Sequence, residues 1–503
     1  MENGKIIHYL FSIIHSFVSM LAKSFFFVLL SEILYNLSGY VVHSGMGRIL
    51  GPAEYGRYGV VITLSTMIII LIGNGIPTAM SKYLSEYFEK KPGLVPVIKR
   101  QAAILQTILI GFVSVIFYFF SPLISGALSD QTLTPLFKIS AFIIPSFALA
   151  SFYFFYYTGI HQFKVQALLK TSRSVFRVLF ILGFALLLKS RGMALEGAII
   201  GYILVPLTIF FEAHFYDSYK KQKPEGKFNW KKLLHYAWPV TLFMIAYEFL
   251  ITIDLYMVKG ILRDDYLTGI YNAVITVGRI PYYLFYALVV IMLPVISKST
   301  ASGDDVGTKK LVSQSLRLMT MFLFPICILM SAFAAPILQI FYSKRFLPAA
   351  SPMAIFVFGV GFLTIFYVLT FILNGAGKVK IPMLVAFFGL FFNIILTYFL
   401  IKNYALLGAV VGTSVTSFLV MVIILFYTHH HFGYLFNLKS FLKIVLSSLL
   451  IAVPAFLLPR DSILTLPLGA LEFGFYLLIL YLLKEFGSFE IDFFKRMIVR
   501  KKK

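Results

Sequence analysis

Polar side chains recur at helical spacing inside an apolar run near residue 279. The spacings are four, three, four and three residues, so one helix face would carry Asn272, Thr276, Arg279, Tyr283 and Tyr286. A guanidinium fork matches the oxygens of a phosphate, and the tyrosine rings could stack on sugars. The stripe therefore predicts a binding surface for a phosphorylated sugar compound. The alternative is a structural arginine paired with a carboxylate on another helix.

A second run carries three basic residues on one helix face, Lys170, Arg173 and Arg177. Arg177 lies about 20 Å along a helix from Lys164, at roughly 1.5 Å per residue. We interpret this stripe as a basic ladder for the same kind of anion. Its lower members could instead extend their heads to a water interface.

Acidic and amide side chains lie inside three other apolar runs. Glu32 and Asn36 share one face, Glu248 and Asp254 lie on two faces of another run, and Asn393 lies in a third. An ionisable group at mid-membrane costs several kcal/mol unless it faces water or a partner. We expect Asn36 to bind substrate in the cavity and the other four residues to have coupling or gating roles. Glu32 could pair with an arginine, carry a proton or be a structural acid. Glu248 and Asp254 could bind a cation, carry a proton or close an ion pair.

The composition indicates where these charges lie. Apolar residues are 59% of the 503 residues and charged residues only 13%, whereas soluble domains average roughly 45–50% and 25%. Fourteen apolar runs are long enough to cross a bilayer as helices. We predict an all-α integral membrane protein with about 14 transmembrane helices, and we exclude a soluble enzyme. The single cysteine, Cys327, excludes a disulfide framework, and we expect no metal site and no cofactor.

The net charge of +23 is unevenly distributed between alternate loops, with 32 Lys and Arg residues on one side and 11 on the other. Cytoplasmic loops carry such an excess, so we expect a multi-pass plasma-membrane protein with both termini in the cytoplasm. No nucleic-acid role is expected. Lys23 and Lys82 would lie near the mouths of a transport pathway.

The sequence repeats itself with nearly one offset. The offsets are 213, 216 and 211 for the pairs 55–63 and 268–276, 81–82 and 297–298, and 194–201 and 405–412. Each copy holds six runs, which predicts two parallel six-helix lobes plus two extra C-terminal helices. The predicted segments are an amphipathic N-terminal segment 1–23, an N-lobe 24–216, a cytoplasmic linker 217–233, a C-lobe 234–430, two helices within 431–485 and a basic tail 486–503.

Four stretches resemble a known family. They are RILGPAEYG at 48–56, Asp254 followed by GIYNA at 269–273, NGAGK at 374–378, and Asn393 followed by Gly408 and Ala409. With the repeat, they resemble polysaccharide flippases of the multidrug/oligosaccharidyl-lipid/polysaccharide exporter superfamily. Members with a sodium site carry an acidic residue on the eleventh span, where this sequence has Thr397. Coupling to proton or sodium therefore stays open.

The resemblance implies two six-helix bundles around a central cavity. It also implies alternating-access export of a lipid-linked oligosaccharide, a polyprenyl-diphosphate sugar, to the outer leaflet for surface polysaccharide biosynthesis. The expected partners are that lipid-linked glycan and membrane lipid, with a polymerase or glycosyltransferase as neighbour. The alternatives are a cation-coupled multidrug antiporter and a flippase for a lipid-linked peptidoglycan precursor. A membrane enzyme is not expected, because the outer loops are short.

Overall fold

The computed structural model describes residues 2–217, 219, 222–285, 296, 300, 305–378, 380–433, 438–457 and 464–485. Side chains are described from residue 27 onward, except at 29, 71–72, 239–240, 242–243, 246, 305, 438 and 457. In these ranges every regular element is helical. The α-helices are α1 (Glu2–Gly73), α2 (Gly75–Tyr87), α3 (Leu94–Ala127), α4 (Thr134–Ser140), α5 (Ile143–Gly159), α6 (Phe163–Lys189), α7 (Ala194–Phe215), α8 (Lys231–Leu262), α9 (Asp265–Gly278), α10 (Asp305–Ala332), α11 (Ala334–Phe341), α12 (Ala350–Gly375), α13 (Lys380–Phe432), α14 (Leu438–Leu457) and α15 (Thr465–Leu482).

Most of these helices are long and apolar enough to cross a membrane. Ten candidate spans lie within the described ranges, and two of them, Leu30–Tyr87 and Lys380–Phe432, have 58 and 53 residues. About 20 residues suffice for one crossing, so each of these two is long enough for two. The backbone breaks inside them, at Gly51 (φ 75°) and at Ala405 (φ 48°). With α8 and α9 at the predicted seventh and eighth spans, the prediction of an all-α membrane protein with about 14 spans is confirmed.

The membrane-spanning helices differ in how much of their surface is buried inside the protein and how much is exposed on its outside. Only 17% of the most apolar window of α3 is buried, against 78% for the window that includes α12. Phe119 and Leu123 of α3 are accordingly exposed, as expected for side chains that contact lipid tails. A helix that is apolar all round, such as α12, lies inside the protein.

The helices group into two units. The first contains residues 1–252 and 263–266, and the second contains residues 253–262 and 267–503. The residues of α8 are therefore divided between the two units. We describe each unit by itself.

Close helix contacts repeat in both units. In the first, Gly201 of α7 lies so near α6 that a Cβ atom would be 2.6 Å from Ile181 Cα. In the second, a Cβ on Gly412 would be 3.0 Å from Thr397 Cα. The two glycines are 211 residues apart and their two partners 216 apart, as in the sequence repeat. The duplication therefore extends to backbone packing, since only glycine permits this approach.

A buried ion pair holds the segment after α7 to the first unit. Asp217, 4% exposed, pairs with Lys99 of α3 and accepts a hydrogen bond of 2.7 Å from the Tyr156 hydroxyl. The Lys99 ammonium also lies 4.3 Å from the centre of the Tyr156 ring. Farther along, the Gln101 amide donates to the Phe228 carbonyl at 2.9 Å. The segment between α7 and α8 is thus attached to α3 at two points. The ion pair of Asp217 holds its start, and the hydrogen bond to the Phe228 carbonyl holds its end.

The glycine contacts give a first prediction. Gly201→Ala should destabilise the full-length protein by about 1–3 kcal/mol, because the added methyl group meets backbone that must move. Gly183→Ala on α6 is the matched control, since a Cβ there meets nothing within 4 Å. Thermal unfolding in detergent should show a lower midpoint for the first variant only. Equal midpoints for both variants would contradict the close packing.

The second prediction concerns Asp217. Burial alone would raise the pKa of Asp217, but hydrogen bonds from Lys99 and Tyr156 outweigh it and hold the pKa below the usual value. A lowered folded-state pKa stabilises the fold above the unfolded pKa, and this stabilisation is lost as pH falls through the folded value. Asp217→Asn should therefore cost about 3 kcal/mol near neutral pH and much less in acid.

The control for this variant is the exposed Lys82–Glu86 pair, whose charged atoms are 3.8 Å apart. Glu86→Gln should change stability by less than about 1 kcal/mol, since solvent screens exposed pairs. Unfolding midpoints measured at neutral and acid pH test both variants. A D217N effect that does not depend on pH would show that the carboxylate charge is not what stabilises the segment.

Candidate functional site

Three basic residues of α6 surround one tyrosine of α1. The Lys170 ammonium lies 5.4 Å from the centre of the Tyr35 ring, and the guanidinium carbons of Arg173 and Arg177 each lie 5.1 Å from it. We call these four residues the basic cluster. The structure therefore brings together the ladder that the sequence analysis singled out. Tyr35 was missed there, although it lies three positions from Glu32, a spacing that marks a shared helix face.

The lower end of the basic cluster is neutralised by one acid. Lys170 forms an ion pair with Glu32 of α1, whose side chain is 34% exposed. The Asn36 side-chain amide donates to the Glu32 backbone carbonyl at 3.0 Å, one turn earlier in the same helix. Among the described residues, Arg173 and Arg177 have no carboxylate partner. The three cations of the basic cluster thus face one anion, Glu32, which leaves an excess of two positive charges.

Aromatic side chains hold Arg173 in place. Its guanidinium carbon lies 3.9 Å from the centre of the Phe147 ring, and the residue is 5% exposed. Such stacking stabilises a guanidinium that has left water. A guanidinium over an aromatic ring keeps its charge, because the ring attracts the cation without accepting its protons.

Arg177 lies deeper and leans on the backbone of α1. Its Nη1 would be 3.0 Å from a Cβ atom at Gly39, so a side chain there would displace it. Arg177 interacts electrostatically with Tyr202 of α7, and the Tyr202 and Tyr58 hydroxyls are 2.8 Å apart. His43, nearby on α1, is bonded to the Tyr55 hydroxyl at 2.9 Å. The upper end of the basic cluster therefore continues into a chain of tyrosines.

The second unit buries an acid instead. Asp254 is fully buried on α8 and accepts hydrogen bonds from Tyr271 (2.8 Å) and Thr413 (3.2 Å). The Leu255 backbone N–H donates to its other oxygen at 2.9 Å, and Arg279 interacts with it electrostatically. Arg279 and Asp254 thus influence one another electrostatically. Thr413 was missed by the sequence analysis.

The helix that carries the Arg279 stripe is interrupted at one residue, Arg279 itself, and is helical again over residues 280–285. The helix α9 ends at Gly278, where a Cβ would be 2.6 Å from a ring carbon of Phe356. Proline at 281 then removes a backbone donor, which explains a turn at this point. Asn272 is buried, and its backbone carbonyl accepts a hydrogen bond of 2.8 Å from the Thr276 hydroxyl. Tyr283 lies past the turn and is 41% exposed.

The other predicted residues are dispersed. Asn393 is fully buried, accepts the Thr397 hydroxyl at 2.6 Å, and lies 216 residues after Arg177. The Glu248 carbonyl accepts the Thr252 hydroxyl at 2.6 Å. The Lys82 ammonium lies 4.6 Å from the centre of the Tyr236 ring. Tyr286 and the side chain of Lys23 lie outside the described residues.

No group of three or more His, Cys, Asp or Glu side chains that could hold a metal ion occurs in the described part of the chain. Asp254 and Asn393 each bind hydroxyl groups of their own unit.

The fold and the family comparisons define the class. The family model described as polysaccharide biosynthesis protein matches residues 21–300, more than half of the chain, and the MatE model matches residues 233–399. The chain therefore belongs to the polysaccharide biosynthesis protein family, within the multidrug/oligosaccharidyl-lipid/polysaccharide exporter superfamily of flippases and exporters. The resemblance stated from the motifs is confirmed. Proteins of this family and fold are membrane transporters or flippases, not enzymes.

Individual relatives agree with this assignment. An uncharacterized membrane protein of Methanocaldococcus jannaschii is 23% identical over 94% of this chain and 97% of its own. A solved lipid II flippase MurJ in an inward closed conformation aligns with a TM-score of 0.74 at 18% identity, over 94% of this chain and 99% of its own. An inward-facing multidrug resistance transporter of the MATE family aligns with a TM-score of 0.62 at 12% identity, over 80% and 94% of the chains.

The Asp254 site gives a third prediction. Thr413→Val should destabilise the protein by about 1–3 kcal/mol, because a buried carboxyl loses a hydrogen-bond donor. Thr416→Val is the matched control on the same helix, since among the described residues the Thr416 hydroxyl bonds only the Gly412 carbonyl of its own turn, at 2.9 Å. Thermal unfolding in detergent should separate the two variants. Similar midpoints would mean that Thr413 does not support Asp254.

Proposed function

We propose that this protein flips a lipid-linked oligosaccharide, a polyprenyl-diphosphate sugar, from the cytoplasmic to the outer leaflet of the plasma membrane by alternating access. The observation that carries the proposal is the charge of the basic cluster, three cations against one carboxylate around Tyr35. Membership of the polysaccharide biosynthesis family supports the glycan, and the excess of positive charge supports the diphosphate.

The basic cluster suits a diphosphate for physical reasons. Removing an anion from water into hydrocarbon is prohibitive without compensating charge. Arg173 and Arg177 supply two guanidinium groups, each of which can bind two phosphate oxygens in parallel. Their Cα atoms are four residues apart, about 6 Å along α6 at the helical rise of roughly 1.5 Å, a spacing that suits two linked phosphates. Tyr35 is partly exposed and offers a hydroxyl and a ring edge for the first sugar, whereas Tyr58 and Tyr202 are buried and bond each other behind Arg177.

Glu32, Asp254 and Asn393 would couple substrate binding to the movement of a proton or sodium ion that drives transport. Glu32 lies in ion-pair contact with Lys170, so an incoming phosphate competes with it for that ammonium. Asp254 and Asn393 are the candidate coupling residues of the second repeat. Both termini lie in the cytoplasm in this proposal, as the loop charges favour. The carrier lipid need never leave the bilayer.

A flippase for a lipid-linked peptidoglycan precursor is a second candidate, and the specific observation that favours it is the likeness to MurJ over 94% of this chain. Both candidates predict a diphosphate in the basic cluster and differ only in the glycan. A multidrug antiporter predicts an acidic binding site for cationic drugs, and the net positive charge of the basic cluster disfavours it.

The test is a set of variants on one helix. Arg173→Ala and Arg177→Ala should each reduce export at least tenfold, since each removes about 1.5–3 kcal/mol of charged hydrogen bonding to the phosphates. Complementation of a strain lacking its polysaccharide flippase measures export. Mass spectrometry of lipids that copurify with the protein identifies the glycan. Drug-resistance assays in a sensitive host test the antiporter.

Lys189→Ala at the exposed end of α6 is the control, because it removes a charge from the same helix without touching the basic cluster. Arg177→Lys should restore part of the activity, since it keeps the charge. Full export by both alanine variants at normal protein levels would remove the proposal. Copurified peptidoglycan precursor would favour the second candidate.

A further inference from the structure

The C-terminal helices α14 and α15 pack on α10 through a core that includes Met321, Ile444 and Leu480. The Tyr476 hydroxyl of α15 donates to the Met321 carbonyl of α10 at 2.6 Å. That carbonyl would normally accept from residue 325 one turn later, but Pro325 has no N–H. These contacts fix α10, α14 and α15 relative to one another, so the charged groups that join their ends also have fixed positions.

One carboxylate joins the three helices at the end where α15 terminates. Glu485 lies three residues past α15, and its side chain is 5% exposed. The Arg317 Nε of α10 donates to one carboxylate oxygen at 3.1 Å, and the Ser440 hydroxyl of α14 bonds the same oxygen. The Lys443 ammonium of α14 lies 3.4 Å from the other oxygen. We call Arg317, Ser440 and Lys443 the anion pocket.

The backbone after α15 turns the acid back into the anion pocket. Lys484 has a left-handed conformation, at φ 54°, which residues other than glycine adopt rarely. The Glu485 N–H donates to the Leu480 carbonyl at 2.9 Å, and the Lys443 ammonium donates to the Leu483 carbonyl at 2.8 Å. Contacts within α15 and with α14 thus hold the chain in the conformation that places Glu485 against cations of two other helices.

The anion pocket contains the groups with which proteins bind phosphate. A guanidinium group binds phosphate oxygens through parallel hydrogen bonds, and an ammonium group adds a point charge. Ser440 lies in the first turn of α14, where backbone N–H groups and the helix dipole attract anions. Among the described groups of the pocket, Arg317 and Lys443 carry two positive charges and Glu485 carries one negative charge. The excess is one positive charge, which the single negative charge of a phosphodiester would neutralise.

Lys443 is the part of the anion pocket that a lipid can reach. Its side chain is 38% exposed, and its ammonium is farther from the carboxylate than the Arg317 nitrogen is. Beside it, an exposed apolar stripe runs along α14 at spacings of four, three and four residues, formed by Leu442, Leu446, Leu449 and Val453. A phospholipid whose phosphate contacts Lys443 can therefore place an acyl chain along this stripe.

The anion pocket also lies at the depth of phospholipid headgroups. Both α14 and α15 are long and apolar enough to cross a membrane, and α14 begins and α15 ends beside the pocket. The pocket therefore lies at a membrane boundary. Lys439 and Lys484 are exposed at the same helix ends and add to the positive potential there. The other carboxylate of this helix pair in the described ranges, Glu472, lies near the middle of α15, away from the pocket.

We propose that the anion pocket binds the phosphodiester of an anionic phospholipid, such as phosphatidylglycerol, and that Glu485 competes with the lipid for the Lys443 ammonium. A free phosphate ion presents the same oxygens, but the apolar stripe of α14 favours a ligand with acyl chains. The anion pocket lies in the second unit and the basic cluster in the first. This proposal therefore does not depend on the proposed substrate.

The test is a lipid titration of the purified full-length protein. Delipidated protein in neutral detergent is titrated with phosphatidylglycerol, and native mass spectrometry measures the bound lipid. Lys443→Gln should weaken binding by about fivefold, the contribution of one basic residue beside anionic lipid. Glu485→Gln should strengthen binding, because the competing negative charge is gone. Phosphatidylcholine, whose phosphate is balanced by its own cation, should bind the wild type and both variants equally weakly.

Two control variants make the same changes of charge away from the anion pocket. Lys402→Gln removes an exposed ammonium on α13 that lies 4.3 Å from the centre of the Tyr398 ring. Glu89→Gln removes an exposed carboxylate just past the end of α2. Both controls should bind phosphatidylglycerol as tightly as the wild-type protein does, since neither touches the pocket.

The exposure of Lys443 makes K443Q a variant that should fold, so the test does not depend on E485Q alone. Equal affinities of K443Q and the wild type would overturn the proposal, because the ammonium would not contact the lipid. An unchanged or weaker affinity of E485Q would overturn the competition with Glu485. Inorganic phosphate that displaces the lipid at millimolar concentration would overturn the assignment to a phospholipid.

Discussion

The structure depends on one constraint: a charge inside hydrocarbon must have a partner. The protein meets it in three ways. Glu32 and Lys170 neutralise each other as an ion pair. Asp254 is surrounded by hydroxyl donors and a backbone N–H. Arg173 is covered by aromatic rings, which attract its charge without cancelling it. Only the third way leaves net charge available for a ligand, and it occurs around Tyr35.

The two repeats share packing but differ in polar content. The glycine contacts at 201 and 412 recur with the offsets of the sequence repeat. By the offsets of the repeat, 216 and 211 residues, Arg177 in the first repeat corresponds to Asn393 in the second, and Tyr202 corresponds to Thr413. The conserved contacts fix the helices, so the polar side chains between them were free to diverge. One repeat therefore presents cations, and the other buries an acid.

The helices and the repeat could be predicted from the sequence, because the length of an apolar run and the recurrence of a motif can be read directly from the order of residues. The runs predicted the helices, and the spacing of Lys170, Arg173 and Arg177 predicted their shared face. Partners on other helices could not be found this way: Tyr202 and Thr413 approach their charges only after the helices pack. The break after Gly278, by contrast, follows from Pro281, a residue that lacks a backbone N–H and is visible in the sequence. Asp217 carried no signal because its partner, Lys99, is 118 residues away.

The hydrogen bond from Tyr476 to Met321 has a mechanical consequence. A second connection, from Arg317 to Glu485, ties the far end of α15 to the same helix. Because α15 is attached to α10 at two points, it can neither slide along α10 nor rotate about its own axis independently of it. Any tilt of α10 would therefore move α15 with it. The exposed side chains of Leu471, Phe475 and Leu478 on α15 would then be displaced within the surrounding acyl chains.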